Sequence, residues 1–161
     1  MKKCVCILLV LFSCLCGCGK VVSGTRTFDT FRVKYRLPAG LTYDSAAAEW
    51  ESGYLTRETF ERLYARPDGS SEWEDIESCV IFLGASLDVT YEMGIFVCLD
   101  RAKAEEVAKM CYQRIDIIRS VRSYTDAGPA EDAIVKIYGT TVVLFVLPDN
   151  EKAERVMDRI L

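Results

Sequence analysis

Histidine is absent from the 161 residues. That removes at once the Ser-His-Asp and Cys-His nucleophilic sites, histidine-ligated zinc and an imidazole general base. The side chains left for chemistry are chiefly eight cysteines and 24 acidic residues. Cys4-x-Cys6 and Cys14-x-Cys16-x-Cys18 have thiolate-like spacing, but they alternate with Val, Ile, Leu and Phe, whereas metal ligands need polar support from a folded surround. In such a run cysteine acts as a small hydrophobe. Beyond Cys18 lie Cys79, Cys98 and Cys111. This odd set argues against a disulfide framework, although one pair stays open. Cys98 and Cys111 fall on apolar positions and read as buried structural thiols, while Cys79 is unassigned.

The acidic run Glu72-Trp-Glu-Asp75-Ile-Glu77 lacks the alternating oxygen ligands of a calcium loop, and Gly69 comes too early for the turn; it reads as a solvated loop or first helical turn. Paired carboxylates can serve as acid and base in glycoside cleavage, but 24 acids without geometry single out no pair. Glu92, beside an apolar strand, and Arg114, on a long helix, read as a buried ion pair or a site, with a structural role favoured. The sequence has no Walker A loop, Gly-x-Gly-x-x-Gly fingerprint or Gly-x-Ser-x-Gly elbow. No catalytic residue, cofactor site or metal ligand is therefore assigned.

One thiol has a different chemistry. Lys2 and Lys3 precede an uncharged run of 14 residues, Cys4 to Gly17, the order of a secretory n-region and h-region. The run falls short of the roughly 20 residues that span a bilayer. It ends in Leu15-Cys16-Gly17-Cys18, which resembles the bacterial lipobox. That resemblance implies a diacylglyceryl thioether on Cys18, formed before the cut that makes Cys18 the first residue. Cys16 replaces the commoner Ser, Ala or Thr but is small. A cut before Cys14 is disfavoured, because it would set bulky Phe12 at that same position. Acyl chains contribute about 0.8 kcal/mol per buried CH₂, so two or more anchor stably. The expected organisation is a signal peptide over 1–17, a tether over 18–27 and a single domain over 28–161, held at the outer face of the cell membrane. Without the leader, 18 basic residues face 24 acidic ones, which argues against a nucleic-acid partner.

The body of the chain, in a sequence half apolar and 27% charged, has the composition of one globular domain. Phe28, Phe31, Val33 and Tyr35 suggest an extended segment that stops at Leu37-Pro38-Ala39-Gly40. Asp44 is a candidate cap for a short helix over Ala46–Glu51, and Thr56 for another over Arg57–Ala65. Arg66 to Ser71 reads as a loop. A repeat then follows. Ile95–Val107 aligns with Leu144–Val156 at an offset of 49, without gaps and with seven identities in 13 positions. Each unit reads strand, turn, strand, helix, in repeats of about 79–127 and 128–161. The strands fall near 80–87, 91–99, 132–138 and 141–147, with turns at Thr90 and Gly139. The helices fall at 101–121 and 150–160, capped by Asp100 and Asp149. The expected fold is α+β: an antiparallel four-stranded sheet from a duplicated β-β-α unit, with both helices on one face. Because 91–99 and 141–147 are apolar on both sides, something must cover the second face. The candidates are the segment Phe28–Ala65, which is favoured, a second copy in a homodimer, or a ligand.

From Leu55 onward the chain resembles a family of uncharacterised lipoproteins of low-GC Gram-positive bacteria, built around a domain of unknown function. The matching pieces are Phe60-Glu-Arg-Leu-Tyr64, the acidic stretch to Glu77, Tyr91-Glu-Met-Gly-Ile-Phe96, Asp100-x-x-x-Ala104 with Val107 and Arg114, Val135-x-x-Tyr-Gly139 and Val142–Val146. The resemblance implies an envelope location and assigns no activity. The expected function is a membrane-anchored, non-catalytic binding or accessory module that holds an envelope protein, peptide or small molecule. An envelope hydrolase using carboxylates and a structural dimer are the alternatives.

Overall fold

The computed structural model describes residues 22–86, 89–120 and 128–161. The expected leader, Cys18 and the tether as far as residue 21 lie outside the described residues. In chain order the elements are α1 (Gly24–Tyr35), β1 (Gly40–Asp44), α2 (Arg57–Tyr64), a 3₁₀ turn (Trp73–Asp75), β2 (Ile76–Gly84), β3 (Glu92–Cys98), α3 (Arg101–Ser120), α4 (Gly128–Glu131), β4 (Ile134–Tyr138), β5 (Thr141–Val146) and α5 (Asn150–Met157).

The fold is α+β, with one five-stranded antiparallel sheet in the order β1-β2-β3-β5-β4. The expected sheet had four strands; β1 is the fifth. It escapes the sequence pattern because it is a short edge strand, Gly-Leu-Thr-Tyr-Asp, whose Leu41 is 61% exposed. Gly40 allows the pairing with β2, since a Cβ there would lie 2.4 Å from the Leu83 carbonyl oxygen and from the Phe82 ring.

Every residue of β3 and β5 is buried, and helices cover both faces. On one face Phe60 and Tyr64 of α2 and the α3 stripe Ala104, Val107, Cys111, Ile115 and Ile118 pack on Cys79, Ile81, Phe96, Val142 and Leu144. On the other, Phe28, Phe31 and Tyr35 of α1 join Ala153, Val156 and Met157 of α5 over Val80, Met93, Ile95, Val143 and Phe145. The N-terminal segment thus helps to cover the sheet, but it divides: α1 goes to one face and α2 to the other.

α1 overturns the extended reading of Phe28–Tyr35. Its buried aromatics are Phe28, Phe31 and Tyr35, at helical spacing, while Val33, which completed the apparent alternation, is 74% exposed. Ser23 caps the helix by accepting from the Arg26 N–H. The helix also takes in Gly24–Thr27, assigned to the tether from sequence. No helix forms over Ala46–Glu51; Asp44 instead closes a turn, its carboxylate accepting from Ala46 N at 2.8 Å. Thr56 does cap α2, and Asp100 and Asp149 cap α3 and α5 through bonds from Lys103 N and Lys152 N.

The two β-β-α units are not copies in space. A twofold axis perpendicular to the sheet, between antiparallel β3 and β5, would leave both helices on one face. Instead α3 and α5 lie on opposite faces. The register explains this. Phe96 sits opposite Val142, and Met93 opposite Phe145. The aligned Phe96 and Phe145 therefore point to opposite sides, each toward its own helix.

Candidate functional site

The structure brings together one pair singled out from sequence. Glu92 starts β3 and is wholly buried. Arg114 reaches it from the fourth turn of α3, with Nε 3.1 and 3.0 Å from the two carboxylate oxygens and Nη2 2.7 Å from Oε2. Tyr64, the last residue of α2, donates its hydroxyl to Glu92 Oε1 at 2.5 Å. The Arg114 guanidinium also stands 5.8 Å from the Tyr64 ring centroid. Three separate elements meet at this carboxylate, a contact set that spacing alone does not reveal.

Electrostatics makes the cluster self-contained. Burial, reinforced by the Glu92 charge, pushes the Tyr64 phenol well above its usual value, so the hydroxyl stays protonated and donates. Burial is the largest single influence on Arg114 and acts to lower it, but the Glu92 charge, the hydrogen bonds to Glu92 and the Tyr64 oxygen together hold the guanidinium above its ordinary value. Each charge is thus matched within the cluster. Beside it is a small cavity of about 210 Å³ lined by Tyr64, Ala65, Pro67, Arg114 and Ile117, below the usual range of roughly 300–1,000 Å³ for ligand pockets.

Among the described residues the thiols offer no nucleophile. Cys79, Cys98 and Cys111 are buried and unpaired with one another. Burial pushes Cys79 and Cys98 up to about 12 and raises Cys111 as well. Cys79, unassigned from sequence, is a core residue. Among the described residues no group of three or more His, Cys, Asp or Glu is placed to hold a metal. The acidic run departs from expectation at Glu72, which is buried against Arg66, while Trp73–Asp75 form the 3₁₀ turn. Burial is the main cause that raises the Glu72 carboxyl.

A larger cleft, about 800 Å³, opens at the sheet end where β3 begins and β5 finishes. Val89, Tyr91, Ile134, Leu147 and Pro148 supply its apolar lining, and Asp132, Asp149, Asn150 and Glu151 its polar one. Two of these polar groups already have internal duties. Asp149 Oδ1 caps α5, and Asn150 bridges Leu147 N and the Pro129 carbonyl at 2.7 and 2.8 Å. Tyr35 fixes the rim, its hydroxyl 3.3 Å from the Asp149 carbonyl and 3.1 Å from its N–H. Sequence reasoning had no access to this cleft, because its lining comes from three separate stretches of chain, 89–91, 128–134 and 147–151, whose only shared property is a place at one end of the sheet.

No family model matches the chain, and no curated protein or solved structure shows significant similarity to it.

Proposed function

We propose that this is a lipoprotein of the bacterial envelope, anchored at Cys18 on the outer face of the cell membrane, whose domain is a non-catalytic binding module. The order of its motifs, which resembles that of Gram-positive lipoproteins, and the lipobox-like Leu15–Cys18 support the address. The cleft between Tyr91, Ile134 and Leu147 carries the binding role. Its volume suits a peptide segment or small molecule, and apolar walls with Asp132 and Glu151 at hand favour a ligand that pairs an apolar group with a cationic or hydrogen-donating one. The self-contained Tyr64–Glu92–Arg114 cluster acts in this reading as a strut between α2, β3 and α3.

Site-specific photo-crosslinking in intact cells tests the role. A photoreactive residue at Tyr91 gives a discrete adduct, and the same residue at exposed Val33 on α1 does not. Identical adduct patterns from the two positions, or none from Tyr91, contradict the assignment of the cleft. The competing hydrolase reading needs a proton donor and acceptor among Asp132, Asp149 and Glu151, one of which is already engaged as a helix cap.

A further inference from the structure

The sheet end opposite the cleft gathers the start of α1 and two exposed apolar side chains. Gly24 lies against Ser78, Val80 and Val97: a Cβ there would be 3.7–3.8 Å from their side chains. Thr25 Oγ1 donates to Asp44 Oδ2 at 2.7 Å, which joins α1 to the last residue of β1. The far end of the loop that follows is closed back on that same residue, through Asp44 N to the Gly53 carbonyl and Leu55 N to the Asp44 carbonyl. Within it Trp50 is 88% exposed. Leu99, two residues beyond Val97, is 60% exposed.

We propose that this end of the domain rests on the bilayer, with the Trp50 ring seated at the headgroup level and Leu99 facing the same surface. The inference rests on the anchor at Cys18. Six residue steps separate Cys18 from Gly24, and at roughly 3.3–3.6 Å per residue the start of α1 stands no more than about 22 Å from the Cys18 backbone. So short a connection keeps the α1 start, and the Asp44 loop bonded to it, beside the lipid. An indole has an apolar body and a polar N–H, the combination that favours the membrane–water interface. Exposed Glu49 and Glu51 flank Trp50, so the contact is apolar and gains nothing from anionic lipid. α1, 12 residues and about 18 Å long, then runs across the sheet to Tyr35 and places the cleft on the side away from the membrane.

The chain has two tryptophans, and Trp73 packs its ring 5.2 Å from that of Phe60. This makes Trp50 readable. The full lipidated chain is reconstituted into phosphatidylcholine vesicles with or without brominated acyl chains, beside Trp50→Phe as the background from Trp73. Flotation reports the anchor; quenching reports the docking. The expected result is flotation of both forms, loss of the Trp50 emission in brominated vesicles, and a shift of that emission to shorter wavelength. Flotation with Trp50 emission unquenched overturns the docking and leaves the anchor standing. Failure to float overturns both. Trp73→Phe, which leaves Trp50 alone, checks the subtraction, and an unquenched signal there also counts against the docking.

Discussion

Replacing Arg114 by methionine leaves the Glu92 carboxylate, wholly buried at the start of β3, without its counter-charge. Among the described residues Arg114 supplies the charged contacts of Glu92, through Nε and Nη2 at 2.7–3.1 Å, and the Tyr64 hydroxyl donates to the same carboxylate. Removal of one partner from a buried ion pair costs about 3–5 kcal/mol. At about 4 °C per kcal/mol for a domain near this size, the melting temperature falls by roughly 12–20 °C. Replacing both partners by apolar residues, Glu92→Leu with Arg114→Met, removes the stranded charge and recovers most of that loss. Only the Tyr64 hydroxyl then lacks a partner, a deficit of about 1–3 kcal/mol. Urea denaturation of the wild type, both single variants and the double variant gives the coupling energy directly. An Arg114→Met loss below about 1 kcal/mol, the range of exposed pairs, refutes the reasoning, because the pair would then not be desolvated.

Three further outcomes follow from the fold. Phe31→Ala removes a ring 0% exposed and 5.8 Å from Phe145, at a loss of about 3–5 kcal/mol by denaturation, whereas Val33→Ala changes stability by less than about 0.5 kcal/mol. Similar effects at the two positions refute the helical assignment of α1. Cys79, Cys98 and Cys111 resist a thiol-specific disulfide reagent at pH 8 in the folded domain and react together on unfolding; rapid reaction of any one under native conditions contradicts its burial. Asp158 accepts from Lys136 Nζ at 2.8 Å and from the Tyr138 hydroxyl at 2.6 Å, which lowers its carboxyl below the usual range. Its contribution is therefore present above the unfolded carboxylate range and is lost as pH falls through the lowered folded value. Asp158→Asn flattens the acid side of the stability profile, and an unchanged slope contradicts the linkage.

What the sequence revealed of the fold tracks how strongly each element is written in local pattern. β3 and β5 are apolar on both sides, and α3 carries a long stripe from Ala104 to Ile118, so type and approximate extent were legible. α1 was not, because Phe31, Val33 and Tyr35 satisfy a period of two while Phe28, Phe31 and Tyr35 satisfy the helical one; only the sheet decides between them. β1 has two apolar residues, Leu41 and Tyr43, and a register supplied by β2. The repeat was legible as sequence and misleading as symmetry, because an offset of 49 across this antiparallel register sends aligned residues to opposite faces. Glu92 and Arg114 stood out as ionisable groups beside apolar stretches, but their partner Tyr64 is visible only once α2 is docked. The cleft left no signal, since no short motif encodes the common end of three separate segments.

The proposed address and role both hang on the fate of Cys18. Intact mass and peptide mass spectrometry of the protein extracted from the membrane fraction of its cells read that directly. The expected species is a mature chain that begins at Cys18 and carries a thioether-linked diacylglycerol. A chain that retains Met1–Gly17, or begins elsewhere with the Cys18 thiol unmodified, contradicts it.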